Sequence, residues 1–202
     1  MVQSVHACGE DVEICESFTY LGSLVHNDGG CGPEVIWRSG LAHSIMDSLD
    51  KSIWRCQCLC RRTKIRIFKS LVLPVLLYGC ETWTLNADLK RRLDVCGTKC
   101  LRRVMGYRWY DYVSNQRLLR ETESRPVTSI VLERQLRLYG HVARFPEVDP
   151  AYRVASVRDN PEWRRPRGRP RHSWLEQVDG SFQELFEMER ITTWVLGLRC
   201  RR

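Results

Sequence analysis

The segment TKIRIFKSLVLPVLLYGCETW, residues 63–83, is the most apolar stretch of the chain, and we expect the remainder to be arranged around it. In its first half, apolar side chains fill a broad arc of a helical wheel and basic side chains share the opposite side, a pattern typical of a helix packed on a core. The apolar arc consists of Ile65, Phe68, Leu71, Val72, Val75 and Leu76, and the basic side of Arg62, Arg66 and Lys69.

The second half of this segment carries no charge between Ser70 and Cys80. The run is shorter than the roughly 18 apolar residues that indicate a membrane span, so we expect a helix enclosed by other helices and no membrane partner. Pro74 has no backbone N–H to donate to Ser70, which predicts a kink or a restart of the helix at this point.

Charge is distributed unevenly along the 202 residues, whose net charge is +8. Residues 1–50 contain one arginine and eight acidic residues, a net −7, and residues 51–202 therefore carry +15. A strongly basic region of a soluble protein most often faces nucleic acid or an anionic membrane surface. The hydrophobic content of 43% excludes a wholly disordered chain.

Local signals predict one hairpin followed by helices. Residues 12–25 are rich in β-branched and aromatic side chains, which predicts a short hairpin turning near Glu16 and Ser17. Capping residues and helix breakers predict the helix boundaries. The predicted helices run from Gly32 to about Trp54, from a cap at Thr63, from a cap at Asn86 to Gly106, from Ser114 or Asn115, from Pro126 to Arg144, and from about Ser173 to Arg190.

We therefore predict a mainly α fold, a helical bundle with a short N-terminal β-hairpin and an extended basic C-terminal linker followed by a helix. The linker follows from the prolines and arginines between residues 146 and 171. The predicted divisions are residues 1–31 for the hairpin and its loop, 32–145 for the helical domain, 146–172 for the linker and 173–202 for the C-terminal helical segment.

Basic residues gather on one side of several predicted helices and in the linker. In the helix after Asn86, the stripe Leu89, Leu93, Cys96, Cys100 and Val104 lies opposite Arg91, Arg92, Lys99, Arg102 and Arg103. Arg134, Arg137, His141 and Arg144 share one side of a later helix, and Arg164, Arg165, Arg167, Arg169 and Arg171 crowd the linker. This repetition, with aromatic residues close by, favours nucleic-acid binding over an inert charged surface.

The ten cysteines accompany no secretion signal, which indicates reduced thiols in the cytoplasm or nucleus. The run Cys56, Cys58 and Cys60 and the pair Cys96 and Cys100 do not match the spacing of structural zinc sites. Since the pair also lies on an apolar stripe, we expect it to pack as small hydrophobes. We predict no metal site and no catalytic residues, because the chain contains no Ser/His/Asp arrangement, Walker loop or dinucleotide fingerprint.

Five segments occur in an order that resembles the C-terminal part of reverse transcriptases encoded by non-LTR, LINE-type retrotransposons. They are FTYLGS (18–23), TKIRIFKSLVLPVLLYGCETW (63–83), LRRVMGYRWYDYVSN (101–115), LYGHVARF (138–145) and RGRPRHSW (167–174). The likeness covers about residues 12–180. Each motif is modest alone, and their shared order makes the resemblance specific.

The resemblance implies a primer-grip hairpin, which holds the end of the growing strand, and helices that form a thumb around template and primer. The hairpin residues are Phe18, Thr19, Tyr20, Leu21 and Gly22. The implied thumb contacts are Arg62, Lys64, Arg66 and Lys69, and the implied downstream nucleic-acid contacts are His141, Arg144 and the arginines between residues 164 and 171.

The catalytic aspartates of that family lie upstream of the grip, in a Y/F-x-D-D turn that this chain begins too late to include. We therefore expect a fragmentary reading frame derived from an RNA-directed DNA polymerase, not an enzyme on its own and without a cofactor. The first hypothesis is sequence-independent binding of RNA or DNA. The alternatives are a protein-interaction module, with a protein partner or self-association through the exposed hairpin, and a transposon remnant without a selected function.

Overall fold

The computed structural model describes residues 4–7, 10–13, 15–27, 29–156, 173–178 and 180–181. Its strands are β1 (Ser4–Ala7), β2 (Glu10–Glu13), β3 (Ser17–Tyr20) and β4 (Ser23–His26). Its α-helices are α1 (Gly32–Ser48), α2 (Arg61–Ile67), α3 (Leu73–Leu76), α4 (Ala87–Met105), α5 (Asn115–Glu121), α6 (Val127–Val142) and α7 (Pro150–Ser156). Residues 174–178 are also helical. The predicted mainly α fold with an N-terminal hairpin is confirmed.

The described residues fall into two compact units. The first unit comprises residues 1–79 and 87–124, and the second comprises residues 80–86 and 125–202. This division cuts across the predicted helical domain of residues 32–145, because α6 groups with the turn at residues 80–86 instead of with α4. No described helix is long and apolar enough to cross a membrane.

The N-terminal strands form two antiparallel hairpins, β1 with β2 and β3 with β4. The turn between β3 and β4 is made by Leu21 and Gly22, whose φ angles are 48° and 79°. Two successive positive φ angles match the right-handed twist of the strands that they join. The predicted turn near Glu16 and Ser17 is wrong, since Ser17 is already the first residue of β3 and pairs with His26.

The apolar segment folds as α2, a wide π-helical turn at Phe68–Val72 and α3. Pro74 lies in the first turn of α3, so the helix restarts there as predicted. Thr63 does not cap α2, because Cys60 is the extended residue before the helix.

Only one side of this segment is buried. Phe68, Val72 and Leu76 are at most 2% exposed, whereas Leu71 and Tyr78 are each 48% exposed. The prediction of a helix enclosed by other helices is therefore wrong, and so is the placement of Leu71 on the buried arc. A π-turn holds more residues than an α-turn, which changes the direction in which the following side chains point.

α4 supplies the longest face of the core in the first unit, where α1, α2 and α5 pack against it. All five residues of its predicted stripe, from Leu89 to Val104, are buried. The helix ends before Gly106, whose φ of 75° is the left-handed conformation that commonly terminates helices. The hydroxyl of Ser114 accepts a hydrogen bond from the backbone N–H of Arg117 and caps α5, whose first residue is Asn115, so the predicted start at Ser114 or Asn115 is confirmed.

In the second unit, α6 packs against the turn at Cys80–Thr82 through Gln135, which is 1% exposed. Its amide nitrogen donates to the carbonyl of Trp83 at 2.7 Å, and its amide oxygen accepts from Gln177 at 3.1 Å. The predicted extended linker is wrong for Pro150–Ser156, which is helical with Asp149 accepting from the N–H of Ala151. Residues 157–172, which include the linker arginines, lie outside the described residues.

Candidate nucleic-acid interface

A pocket of about 730 Å³ lies in the first unit where α4 ends and the following loop begins. We call it the aromatic–basic pocket, because its lining includes four basic residues and three aromatic rings. These residues are Lys99, Arg102, Arg103 and Arg108, with Tyr107, Trp109 and Tyr112. Lys99, Arg102 and Arg103 were predicted from the sequence as nucleic-acid contacts, whereas Arg108 and the three rings were not, although the alternation YRWYDY after an arginine-rich helix is a recognisable signal.

Two of the pocket rings extend into solvent, with Trp109 85% and Tyr112 87% exposed. The loop that carries them is fixed by local bonds, since the Asp111 carboxylate accepts from the N–H of Arg108 at 2.6 Å. The Arg108 guanidinium donates in turn to the hydroxyl of Tyr110 at 2.8 Å. Exposed aromatic faces on an ordered loop are platforms on which nucleic-acid bases stack.

The pocket cations differ in how far they are already engaged. Arg102 donates to the carbonyl of Val113 and to the side chain of Asn115, both at 2.7 Å, and so anchors the returning loop. Arg103 is paired with Asp47 and Asp50. Lys99 is exposed and makes no hydrogen bond or ion pair with the described residues, so its charge is available to an anion.

The four implied thumb contacts also divide into two pairs. Lys64 donates to the carbonyl of Trp54 at 2.7 Å, and Lys69 donates to the carbonyls of Thr122 and Glu123 at the end of α5. Those two ammonium groups therefore stabilise the fold. Arg62 and Arg66 are exposed, and neither guanidinium bonds to any residue in the described part of the chain.

The outer face of α4 is partly neutralised near its start, because Arg91 and Arg92 both pair with Asp88, at 2.9 and 2.6 Å. Together they hold the pKa of Asp88 below its usual value, mainly through the hydrogen bond from Arg92. Exposed ion pairs of this kind contribute little stability and are screened by salt.

In the second unit, Arg137 pairs with Glu133 at 3.0 Å, and Arg134 lies 3.6 Å from the carboxylate of Glu81. His141 and Arg144 are exposed at the end of α6. The arginines of residues 164–171 lie outside the described residues, so their predicted role stays a prediction.

The residues of the implied primer grip form the tip of the β3–β4 hairpin. Phe18, Tyr20 and Leu21 are 50%, 62% and 77% exposed. The tip is held by the hydroxyl of Tyr78, which donates to the carbonyl of Leu21 at 2.8 Å, and by Arg38, which donates to the carbonyl of Gly22.

A buried ion pair fastens this hairpin to α1. Arg38 donates to Glu34 at 2.8 Å, and the two side chains are 7% and 3% exposed. Glu34 also accepts from the N–H of Leu24 at 2.7 Å, and the Arg38 guanidinium lies 4.7 and 4.5 Å from the ring centres of Trp37 and Tyr78. Hydrogen bonds on both charges offset the cost of taking them out of water.

The CQCLC run places Cys60 before the first turn of α2, with its sulfur 3.2 Å from the hydroxyl of Thr63. Hydrogen bonds from the Thr63 side chain, and then from its backbone N–H, lower the pKa of Cys60. Because the thiolate is the reactive form, we expect Cys60 to be alkylated faster than the exposed Cys58 at neutral pH.

The substitution Thr63→Val should raise the pKa of Cys60 and slow its alkylation towards the rate of Cys58. Peptide mass spectrometry after timed iodoacetamide labelling measures both rates in the same sample. Equal rates for the two thiols in the unsubstituted chain would contradict the assignment.

A second group of thiols lies on α4. Cys96 and Cys100 are buried on its inner face, beside His43 of α1. A hydrogen bond from Cys100 lowers the pKa of Cys96 against the effect of burial. The same bond and burial raise the pKa of Cys100. The proximity of His43 to Cys96 could not be predicted from the sequence, because the two residues are 53 positions apart and no local spacing connects them.

Comparison with known proteins supports a transposon origin. The chain is 26% identical to a transposon-derived protein of Caenorhabditis elegans over 172 residues, which make up 81% of this chain and 59% of that relative. The chain thus spans about three fifths of the length of the relative. No protein-family model and no solved structure matches the chain.

Proposed function

We propose that the chain is a non-catalytic segment of a non-LTR retrotransposon RNA-directed DNA polymerase, acting in the cytoplasm or nucleus. In this proposal it binds RNA or DNA through the sugar–phosphate backbone, without reading sequence. The observation that carries the proposal is the aromatic–basic pocket, where available positive charge lies beside two almost fully exposed rings. The transposon origin and the order of the five sequence motifs support the polymerase ancestry.

Phosphate groups would be neutralised by Lys99 and Arg108 at the pocket and by Arg62 and Arg66 on α2. α2 packs on α4, and the guanidinium of Arg61 lies 6.0 Å from the ring centre of Tyr107. The start of α2 is therefore close to the pocket within the same unit. A strand that crosses the pocket can extend its backbone contacts along α2.

The rings of Trp109 and Tyr112 suit an unpaired base rather than a paired one, since a base inside a duplex already stacks on its neighbours. Stacking on an aromatic side chain contributes about 1–3 kcal/mol per base and tolerates any base. We therefore expect the pocket to prefer single strands, overhangs and strand ends over blunt duplex.

Fluorescence anisotropy with labelled oligonucleotides tests the proposal. An RNA–DNA hybrid with an overhang, a blunt duplex and a single strand should all bind, with log affinity falling linearly with log salt concentration. Trp109→Ala should weaken binding of the overhang and single strand by about 5- to 150-fold, the equivalent of one base no longer stacking on an aromatic ring. Binding of the blunt duplex should change much less.

Two matched variants separate stacking from charge. Trp109→Phe keeps an aromatic face and should retain most of the affinity that Trp109→Ala loses. The double variant Arg62→Gln with Arg66→Gln should weaken all sequences alike and lower the salt slope by about 0.9 for each phosphate that is no longer neutralised. Absence of binding to every oligonucleotide at low salt would refute the proposal.

A second function is favoured by the exposed apolar surface around the hairpin. Phe18, Tyr20, Leu21 and Val25 are all more than 40% exposed, and on α1 Ile36 is 59% exposed. Contiguous apolar patches on soluble proteins often mark protein interfaces. A protein-interaction module would expose this patch for a partner or a second copy. Light scattering on the purified chain, alone and with Leu21→Asp, would reveal self-association through the hairpin.

A further inference from the structure

Three side chains able to bind a metal converge inside the first unit. His43 comes from α1, and Cys96 and Cys100 come from α4, one helical turn apart. One potential ligand atom from each residue lies within 4.8 Å of the other two. Both cysteines are buried, at 6% and 3% exposure, and His43 is half-buried, so the cluster lies at the edge of the core where α1 packs on α4.

The hydrogen bonding of His43 prepares one ring nitrogen to bind a metal. Nδ1 lies 2.7 Å from the carbonyl oxygen of Ser39, and because a carbonyl only accepts, Nδ1 carries the hydrogen. Nε2 then presents a lone pair. It is buried and has no hydrogen-bond partner among the described residues. Metal-binding histidines almost always donate their other ring N–H in this way, which fixes the tautomer.

An unpartnered buried nitrogen requires an explanation, since buried polar atoms in folded proteins ordinarily have partners. Packing explains the two thiols, which behave as small hydrophobes. It does not explain the unpartnered Nε2 of an imidazole whose Nδ1 lies 4.0 Å from the sulfur of Cys96. A cation bound by the imidazole and the two thiolates would give that unpartnered nitrogen its partner.

The donor set indicates the class of cation. Two thiolates and one imidazole are the ligands that zinc and similar borderline-soft divalent ions prefer. In a tetrahedral site with Zn–S bonds of about 2.3 Å, two sulfurs lie about 3.8 Å apart. The observed limit of 4.8 Å therefore requires the two sulfurs to approach each other by at most about 1 Å. His43 and Cys100 also line the aromatic–basic pocket, which gives a fourth ligand from solvent a route to the ion.

We propose that His43, Cys96 and Cys100 bind one zinc-class divalent cation that joins α1 to α4. On binding, each thiol releases its proton to solvent and the resulting thiolate coordinates the ion. The assignment of this metal site does not rest on the proposed nucleic-acid binding, although His43 and Cys100 also line the aromatic–basic pocket. The site is separate from the CQCLC run, whose three cysteines lie in the residues just before α2.

Cobalt titration of the reduced, metal-free full-length chain tests the site. One equivalent of Co²⁺ should give a thiolate-to-metal charge-transfer band together with the visible bands of a tetrahedral complex, and Zn²⁺ should abolish both. Co²⁺ binding should weaken by about 100-fold or more in each of the variants His43→Gln, Cys96→Ser and Cys100→Ser. Loss of a residue that only hydrogen-bonds to a metal ligand already costs about 10- to 100-fold, and loss of the ligand itself should cost at least as much.

The matched control is the triple variant Cys56→Ser, Cys58→Ser and Cys60→Ser, which should bind Co²⁺ as tightly as the unsubstituted chain. The proposal is overturned if the unsubstituted chain gives no tetrahedral bands, or if the triple variant loses them while His43→Gln keeps them. Circular dichroism without metal reports whether each variant folds. Should a cysteine variant unfold, His43→Gln decides the question, because Zn²⁺ should then raise the melting temperature of the unsubstituted chain only.

Discussion

Replacing Arg38 with methionine should lower the free energy of unfolding by about 3–5 kcal/mol, because it leaves the carboxylate of Glu34 buried without its partner. Glu34 is 3% exposed, and its carboxylate on α1 bonds to β4 through the N–H of Leu24, so water cannot replace the guanidinium without opening the structure. Methionine keeps much of the length and apolar bulk of the arginine stem. The change therefore removes the charge, the hydrogen bond to Gly22 and the cation–π contacts with Trp37 and Tyr78.

Urea unfolding followed by circular dichroism measures this destabilisation. The double variant Glu34→Gln with Arg38→Met should recover on the order of 1–2 kcal/mol, since no charge then remains buried alone. Arg120→Met is the matched control on an exposed helical arginine and should change stability by less than about 0.5 kcal/mol. Hydrogen exchange should also accelerate at the amide of Leu24, which donates to Glu34. Unchanged stability of Arg38→Met would contradict this account of how the hairpin is held.

Replacing Phe68 with alanine should cost about 3–5 kcal/mol, the range observed when a buried phenylalanine is truncated. Phe68 is 2% exposed at the start of the π-helical turn between α2 and α3. Its removal leaves a cavity in the core of the first unit, because the neighbouring helices collapse only partly around it.

Leu71→Ala is the informative comparison, since the helical wheel of an unbroken α-helix places Leu71 on the same apolar arc as Phe68. With Leu71 at 48% exposure, its truncation should cost less than about 1 kcal/mol. Chemical denaturation of both variants measures the difference directly. Similar destabilisation by the two substitutions would mean that the segment is a continuous α-helix and that the π-turn is absent in solution.

Much of the fold was predictable wherever the determining signals are local. The stripe of α4, its end at Gly106 and the cap of α5 by Ser114 follow from helical periodicity and capping chemistry within a few residues. The hairpin was predicted but its turn was misplaced, because Leu21 is an unusual residue for a positive φ. The change in side-chain direction at the π-turn was also not predicted, since a helical wheel assumes a constant number of residues per turn.

The candidate sites depend on contacts between residues far apart in the sequence, and these were less predictable. As a lysine, Lys69 is the type of residue that binds phosphate. Its donation to the carbonyls of Thr122 and Glu123 could not be predicted, because it depends on α5 ending beside it. His43 meets Cys96 and Cys100 only because α1 packs on α4. The rings of Trp109 and Tyr112 were visible in the sequence, whereas their exposure beside available charge required the loop geometry.

The pairing of Arg103 with Asp47 and Asp50 affects the long-range electrostatic attraction between the chain and a nucleic acid. Along the sequence, an acidic first quarter precedes a basic remainder, which suggests a molecule with a large electric dipole moment. These ion pairs bring carboxylates of the acidic quarter against the basic helix α4, so part of that charge separation cancels within one unit. Attraction of a nucleic acid should then depend on local fields at cations such as Arg62, Arg66 and Lys99, which act over about one Debye length, roughly 8–10 Å in physiological salt.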